Sequence, residues 1–196
     1  MIRLALLRHG PTAWNADKRL QGRSDQPLSP DGEAALAAAR VPDAYRRFRW
    51  LTSPLRRARL TADLLDLDAA IEPAAVEMDF GDWEGRRLSD VRAADPHGVR
   101  ANEDRGLDFT PPGGESPRMV QARLAPLLRR LAAERRDTGV VTHKGVIRAL
   151  IAQATGWPML GTPPVKPNWR ALHLFSVDAD GLPRLIEANI QLDERP

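Results

Sequence analysis

The sequence predicts an α/β protein, a three-layer α/β/α sandwich with a mostly parallel central sheet. Two observations carry that expectation. Short apolar runs with strand character alternate with longer segments whose apolar residues recur at three- and four-residue spacing. The first run, Ile2 to Leu7, is apolar apart from Arg3, as a strand covered on both faces requires. At 196 residues the chain is expected to form one domain, 1–196, with a short lid-like insertion at about 81–114.

The elements follow in order. After the strand Ile2–Leu7, Ser29 and Pro30 open a helix, the serine placed to cap it and the proline suited to its first position. Arg49–Ser53 reads as a short strand. Leu55, Ala58, Ala62 and Leu65 mark the helix after it, with Ser53 as cap and Pro54 as first residue. Ala74–Met78 is a further candidate strand. From Gly81 to Gly114 glycine, proline and charge dominate, which predicts loops and short helices. A long helix is expected from about Ser116 to Arg136, bent at Pro126. Thr138–His143 is the next strand, and "GVIRALIAQATG" the helix ending near Gly156. "ALHLFSVD" and "RLIEANI" read as two closing strands joined around Asp180-Gly181.

Composition removes several function classes. Apolar residues make up 42% and charged residues 28%, a globular balance, and the net charge is +3. The only lysines are Lys18, Lys144 and Lys166; the many arginines are interleaved with Asp and Glu rather than gathered in a stripe. That distribution argues against a nucleic-acid partner. There is no cysteine, which excludes disulfides, thiolate catalysis and Cys-based zinc sites. No run approaches the length of a membrane span, and Arg8 and His9 cut off the first apolar run, so it reads as a buried strand rather than a signal peptide. A soluble cytoplasmic protein is expected, with its oligomeric state open and a homodimer among the choices.

The chemistry-bearing residues lie at strand ends. The first strand delivers Arg8-His9-Gly10, the second leads into a helix bearing Arg57, and a later one delivers His143. In an open α/β sheet ligands collect beyond the carboxyl ends of the strands, so two histidines and two arginines can converge in one crevice. Such a set suits a phosphoryl group: arginines offer forked donors to its oxygens, and a neutral imidazole can attack phosphorus.

Four stretches, "LLRHGPTAWN", "TSPLRRARLTA", "VEMDFGDWEG" and "VVTHKGVIRAL", resemble the ordered signatures of the histidine phosphatase superfamily, also called phosphoglycerate mutase-like. The resemblance spans residues 4 to about 150 and implies the phosphoglycerate mutase-like fold. It places His9 as the nucleophile that forms a phosphohistidine, and Arg8, Asn15, Arg57 and His143 against the phosphate. Glu77 falls at the acid position, as proton donor and then base. It further implies a metal-independent reaction without a cofactor on a small phosphorylated metabolite. The short insertion is similar to that of the broad phosphatase branch, which includes α-ribazole phosphatases. Phosphoglycerate mutase-type transfer, expected with a longer insertion, is the alternative, as is a non-catalytic phospholigand-binding member.

Competing readings apply to the neighbours. Arg56 and Arg59 are expected on a solvated helix face, His97 in a loop and His173 as a structural strand residue. Trp83 and Glu84 read as structural parts of their signature. Where the family commonly has two glycines after the second histidine, this chain has Lys144-Gly145, and Pro11 stands where an acidic residue is common. Lys144 is open to three readings: narrowing the pocket, touching an anionic substrate, or standing exposed in the first helical turn, the last slightly favoured. Lys166, Trp169 and Arg170 are open to a substrate tail or to a surface loop.

Overall fold

A computed structural model describes residues 1–195. Its central sheet has six strands: β1 (Ile2–Arg8), β3 (Arg49–Thr52), β4 (Ala69–Ile71), β5 (Thr138–Thr142), β6 (Leu172–Val177) and β7 (Pro183–Ile190). Their order across the sheet is β4-β3-β5-β1-β6-β7. The pairs β3–β4, β3–β5 and β1–β5 run parallel, and β6 and β7 close the sheet antiparallel. Two two-residue strands, β2 (Ala39–Arg40) and β8 (Asp193–Glu194), pair separately.

The layering follows from the alternation of side chains along β1. Ile2, Leu4 and Leu6 enter a core shared with helices α7 (Pro117–Glu134) and α8 (Lys144–Thr155). Ala5 and Leu7 enter a second core with Leu36 of α2 (Pro30–Ala37) and Ala58 and Ala62 of α4 (Arg56–Leu64). A strand buried on both faces must be apolar on both, which is why Ile2–Leu7 shows so little alternation. Burial of each leucine contributes about 2 kcal/mol, so both helical layers are anchored on one strand.

Short helices complete the chain: α1 (Ala13–Ala16), α3 (Asp43–Arg46), α5 (Leu88–Ala94) and α6 (Pro96–Glu103). The segment 81–114 holds α5, α6 and two 3₁₀ turns around a small core of Trp83, Val91 and Val99. It is pinned to the loop after α1, where Leu20 N–H donates to Arg86 O and Gly85 N–H to Leu20 O.

Three local expectations need correction. Ala74–Met78 is not a strand: Pro73–Ala75 is a 3₁₀ turn and Val76–Asp79 is irregular, while the strand lies earlier, at β4. Ser53 does not cap α4, which begins at Arg56 after Leu55; Ser53 stays extended, its N–H donating to Val141 O at 2.9 Å. His97 sits exposed on α6 rather than in a loop. Ser116 does cap α7, accepting from Met119 N–H, and the helix runs through Pro126 to Glu134. Among the described residues no helix is long and apolar enough to cross a membrane.

Candidate active site

The register of β1, β5 and β3 brings three chain segments to one edge. Arg8 lies opposite Thr142, and Thr52 opposite Val141, so the residues that follow these strands emerge together. His9 N–H continues the ladder to Thr142 O at 2.9 Å. The rings of His9 and His143 consequently lie 5.2 Å apart between centroids.

Each ring is held in one tautomer. His9 Nδ1 is 2.6 Å from Gly10 O, and because a carbonyl can only accept, Nδ1 carries the proton and Nε2 keeps its lone pair. His143 Nε2 is 2.7 Å from Ser53 Oγ, which also accepts from Leu55 N–H. Nε2 is the only acceptor within reach of that hydroxyl's proton among the described residues, so Ser53 donates to it and His143 presents Nδ1–H as a donor. That atom is buried and has no partner among the described residues. Burial, with Arg8 and Arg57 nearby, holds His9 well below the usual imidazole range. Burial does the same for His143, with smaller contributions from His9 and Arg57.

Arg57 is a fully buried arginine on a helix, and its surroundings explain how it is tolerated. Its Nη1 donates to Ser24 O at 2.8 Å and its Nη2 to Gly22 O at 2.7 Å. Glu84 builds the loop that supplies those carbonyls. Its carboxylate accepts from Arg23 N–H (2.6 Å), Ser24 N–H (2.9 Å) and Ser24 Oγ–H (2.6 Å). Gly22 has φ +52°, and a Cβ there would lie 1.9 Å from Glu84 Oε1, so the close approach requires glycine. The Nε atoms of Arg8 and Arg57 are buried without partners among the described residues. With His143 Nδ1 they form a set of unspent donors beside His9, the inventory that a phosphoryl group's oxygens would satisfy.

Glu77 is buried in the irregular stretch that replaces the expected strand. Oε1 accepts from Met78 N–H at 2.8 Å and Oε2 from Gly145 N–H at 3.1 Å. Desolvation raises its pKa against those bonds and against the two guanidiniums, which favours a protonated carboxyl. Arg123 of α7 fixes the backbone that delivers it, donating to Ala74 O and Val76 O, and Thr142 Oγ–H donates to Ala75 O at 2.7 Å. A Cβ on Gly145 would lie 2.5 Å from Glu77 Oε1. Of the two positions where the family commonly has glycine, Gly145 is the one this contact needs.

Arg8, His9, Arg57, Glu77 and His143 thus share one neighbourhood. No contact joins Asn15 to these five among the described residues: its Oδ1 accepts from Thr12 N–H and Oγ1–H, closing a capping box on α1. The amide nitrogen makes no hydrogen bond among the described residues. Ser53, Arg123 and Glu84 act behind the site. Ser53 and Arg123 drew no functional reading from sequence, because a Ser-Pro pair signals a helix cap and an arginine on a long helix signals solvent. His173 is structural, buried on β6 with Nδ1 near Asn189 N–H. Among the described residues no group of three or more His, Asp or Glu could hold a metal ion.

Residues 4–190 match the histidine phosphatase superfamily (branch 1). The chain is 37% identical to the glucosyl-3-phosphoglycerate phosphatase of Mycolicibacterium vanbaalenii over 179 residues, covering 81% of this chain and 79% of the relative. A solved mycobacterial glucosyl-3-phosphoglycerate phosphatase complexed with VO3 superposes with a TM-score of 0.79 at 31% identity. That match covers 97% of this chain and 100% of the other. The α-ribazole phosphatase of Shigella flexneri matches with a TM-score of 0.77 at 27% identity, over 98% of this chain and 100% of its own. Fold and relatives together place the chain among the α/β phosphatases. It belongs to the histidine phosphatase superfamily (branch 1).

Proposed function

We propose that the protein hydrolyses a small phosphomonoester through a covalent phosphohistidine on His9 Nε2. The observation that carries this is the fixed tautomer of His9: Nδ1–H is committed to Gly10 O, and burial, with Arg8 and Arg57 beside it, disfavours a proton on Nε2. In the first step the Nε2 lone pair attacks phosphorus and the bond to the leaving oxygen breaks. Arg8, Arg57 and His143 Nδ1–H take up the charge on the phosphoryl oxygens, and the protonated Glu77 gives its proton to the departing alkoxide. In the second step the Glu77 carboxylate accepts a proton from water, whose oxygen attacks phosphorus. The P–N bond breaks, inorganic phosphate leaves, and His9 and Glu77 regain their starting states. No residue in this cycle needs a metal.

Glucosyl-3-phosphoglycerate, the compound named for the relatives, heads the substrate panel, with α-ribazole phosphate beside it. The direct test is release of phosphate from p-nitrophenyl phosphate in EDTA between pH 5 and 8. A His9-dependent, acid-labile, base-stable radiolabel from a phosphodonor is expected. Absence of turnover, or equal turnover by His9→Ala, refutes the proposal.

A further inference from the structure

Behind the site one carboxylate, that of Glu115, gathers four N–H donors. Glu115 immediately precedes Ser116, the cap of α7, so the start of that helix fixes its backbone. Its Oε1 lies 3.0 Å from Arg23 Nη2 and accepts from Arg123 Nε–H at 3.1 Å. Its Oε2 accepts from Asp79 N–H at 3.1 Å and from Arg123 Nη2–H at 3.4 Å. Glu115 N–H in turn donates to Asp79 O at 2.9 Å. A Cβ on Gly114 would lie 2.5 Å from that carbonyl, so the glycine permits the approach. With 13% of its side chain exposed, the carboxylate is screened far less than a surface ion pair.

Those donors lead to both halves of the chemistry. Glu77 to Phe80 belong to no helix or strand, so no ladder fixes the carboxyl of Glu77. Arg123 instead grips the chain before it, at Ala74 O and Val76 O, and Glu115 grips the chain after it, at Asp79 N–H. Glu115 also orients Arg123, whose Nε and Nη2 both donate to it while Nη1 and Nη2 reach the two carbonyls. On the other side, Arg23 belongs to the loop whose carbonyls, Gly22 O and Ser24 O, accept from Arg57. Arg23 Nη1 lies 3.3 Å from Asp79 Oδ2, which ties that loop to the Glu77 segment directly as well as through Glu115. A carboxamide could not replace the carboxylate here: it has one oxygen, and its NH₂ would face a guanidinium or the Asp79 N–H. Thr142 Oγ–H holds Ala75 O independently, so the segment keeps one anchor without Glu115.

We propose that Glu115 is a positioning residue for the hydrolysis: without touching substrate, it holds the carboxyl of Glu77 in register with the loop that supports Arg57. Proton transfer to the leaving oxygen demands that register. A displacement of about 1 Å between a catalytic group and its target costs on the order of 100-fold in rate. Glu115 meets the demand because one rigidly placed charge binds the segment on both sides of Glu77 and the loop beside Arg57 at once. The inference rests on the reading of Glu77 as the proton donor and adds the group that keeps it in place.

The test separates positioning from general support by the leaving group. Turnover is measured on glycerol 2-phosphate, whose alkoxide needs a proton to leave, and on p-nitrophenyl phosphate, whose phenolate does not. The proteins are Glu115→Gln, Glu77→Gln and the double variant. Glu115→Gln should slow the alkyl ester by roughly tenfold or more and the aryl ester by less than about threefold. In the Glu77→Gln background, with no proton left to place, the same change should cost the alkyl ester no more than about twofold. Glu115→Asp keeps the charge but draws the oxygens back by one methylene; it should show the same selective loss, and it serves if the glutamine variant does not fold. Equal losses on both esters, a Glu115 effect undiminished in the Glu77→Gln protein, or failure of both Glu115 variants to fold overturns the inference. If Glu77→Gln slows the alkyl ester selectively and the Glu115 variants do not, the positioning role alone falls. If Glu77→Gln spares the alkyl ester, the proton-donor reading falls and this inference with it.

Discussion

Replacing Gly145 by alanine tests the placement of Glu77 as the proposed proton donor without touching a charged group. The added Cβ would lie 2.5 Å from Glu77 Oε1 and 3.0 Å from Met78 Cβ, against about 3.4 Å or more for ordinary contact. The carboxyl must then retreat by roughly 1 Å, a displacement that costs on the order of 100-fold when it separates a catalytic group from its target. It also stretches the Gly145 N–H bond, now 3.1 Å, to the breaking point. Overpacking of this kind destabilises by ~1–3 kcal/mol, so the variant should fold. The assay compares an alkyl phosphate with p-nitrophenyl phosphate. An alkoxide needs Glu77's proton to leave, whereas nitrophenolate departs without it. The alkyl ester should lose about 100-fold in kcat/KM, the aryl ester no more than about tenfold, with phosphate affinity little changed. Equal losses on both esters, or no loss on either, refute Glu77 as the donor held by Gly145.

The remaining predictions concern pH and the residues behind the site. His9 and His143 are depressed in the folded state, so their stabilising contribution is complete above the unfolded value of ~6.5 and is lost as pH falls. Urea melts from pH 7.5 to 5 should show unfolding free energy dropping by up to ~1.4 kcal/mol per pH unit per histidine, with a shallower slope in His143→Gln. Glu77 is raised, so alkyl-ester turnover should decline as pH climbs through its pKa while aryl-ester turnover declines less; parallel profiles contradict that. Ser53→Ala removes the donor to His143 Nε2 and should release the tautomer, visible as a changed ¹⁵N imidazole pattern together with a roughly tenfold weaker phosphate affinity. Glu84→Ala should weaken phosphate binding about tenfold and lower stability by about 3 kcal/mol, because the loop that carries Arg57's carbonyl partners loses its support. A Glu84→Ala protein with unchanged phosphate affinity would separate that loop from Arg57.

The layers and the meeting place of the strand ends were legible in the residue pattern. A nearly unbroken apolar strand can only be buried on both faces, and parallel strands covered by helices send the residues after them to one edge. Arg8, His9 and His143 were legible because strand ends placed them there; Arg57 stood apart from Arg56 and Arg59, and Glu77 from its acidic neighbours, only through the resemblance of their stretches to the family signatures. Local signals misled where tertiary bonds outweigh them. The Ser53-Pro54 pair has the composition of a helix start, yet Ser53 is retained in the sheet ladder by Val141 O, which turns its hydroxyl toward His143. The stretch before Glu77 is apolar enough to pass for a strand, but Arg123 and Thr142, distant in sequence, claim its carbonyls and leave none for a ladder. Nothing local in the sequence foretold the tautomers or the directions of the pKa shifts in the site. Tautomers and shifted pKa values depend on which carbonyl, hydroxyl and guanidinium come to rest beside a ring or a carboxyl, and that is set by packing across the whole chain.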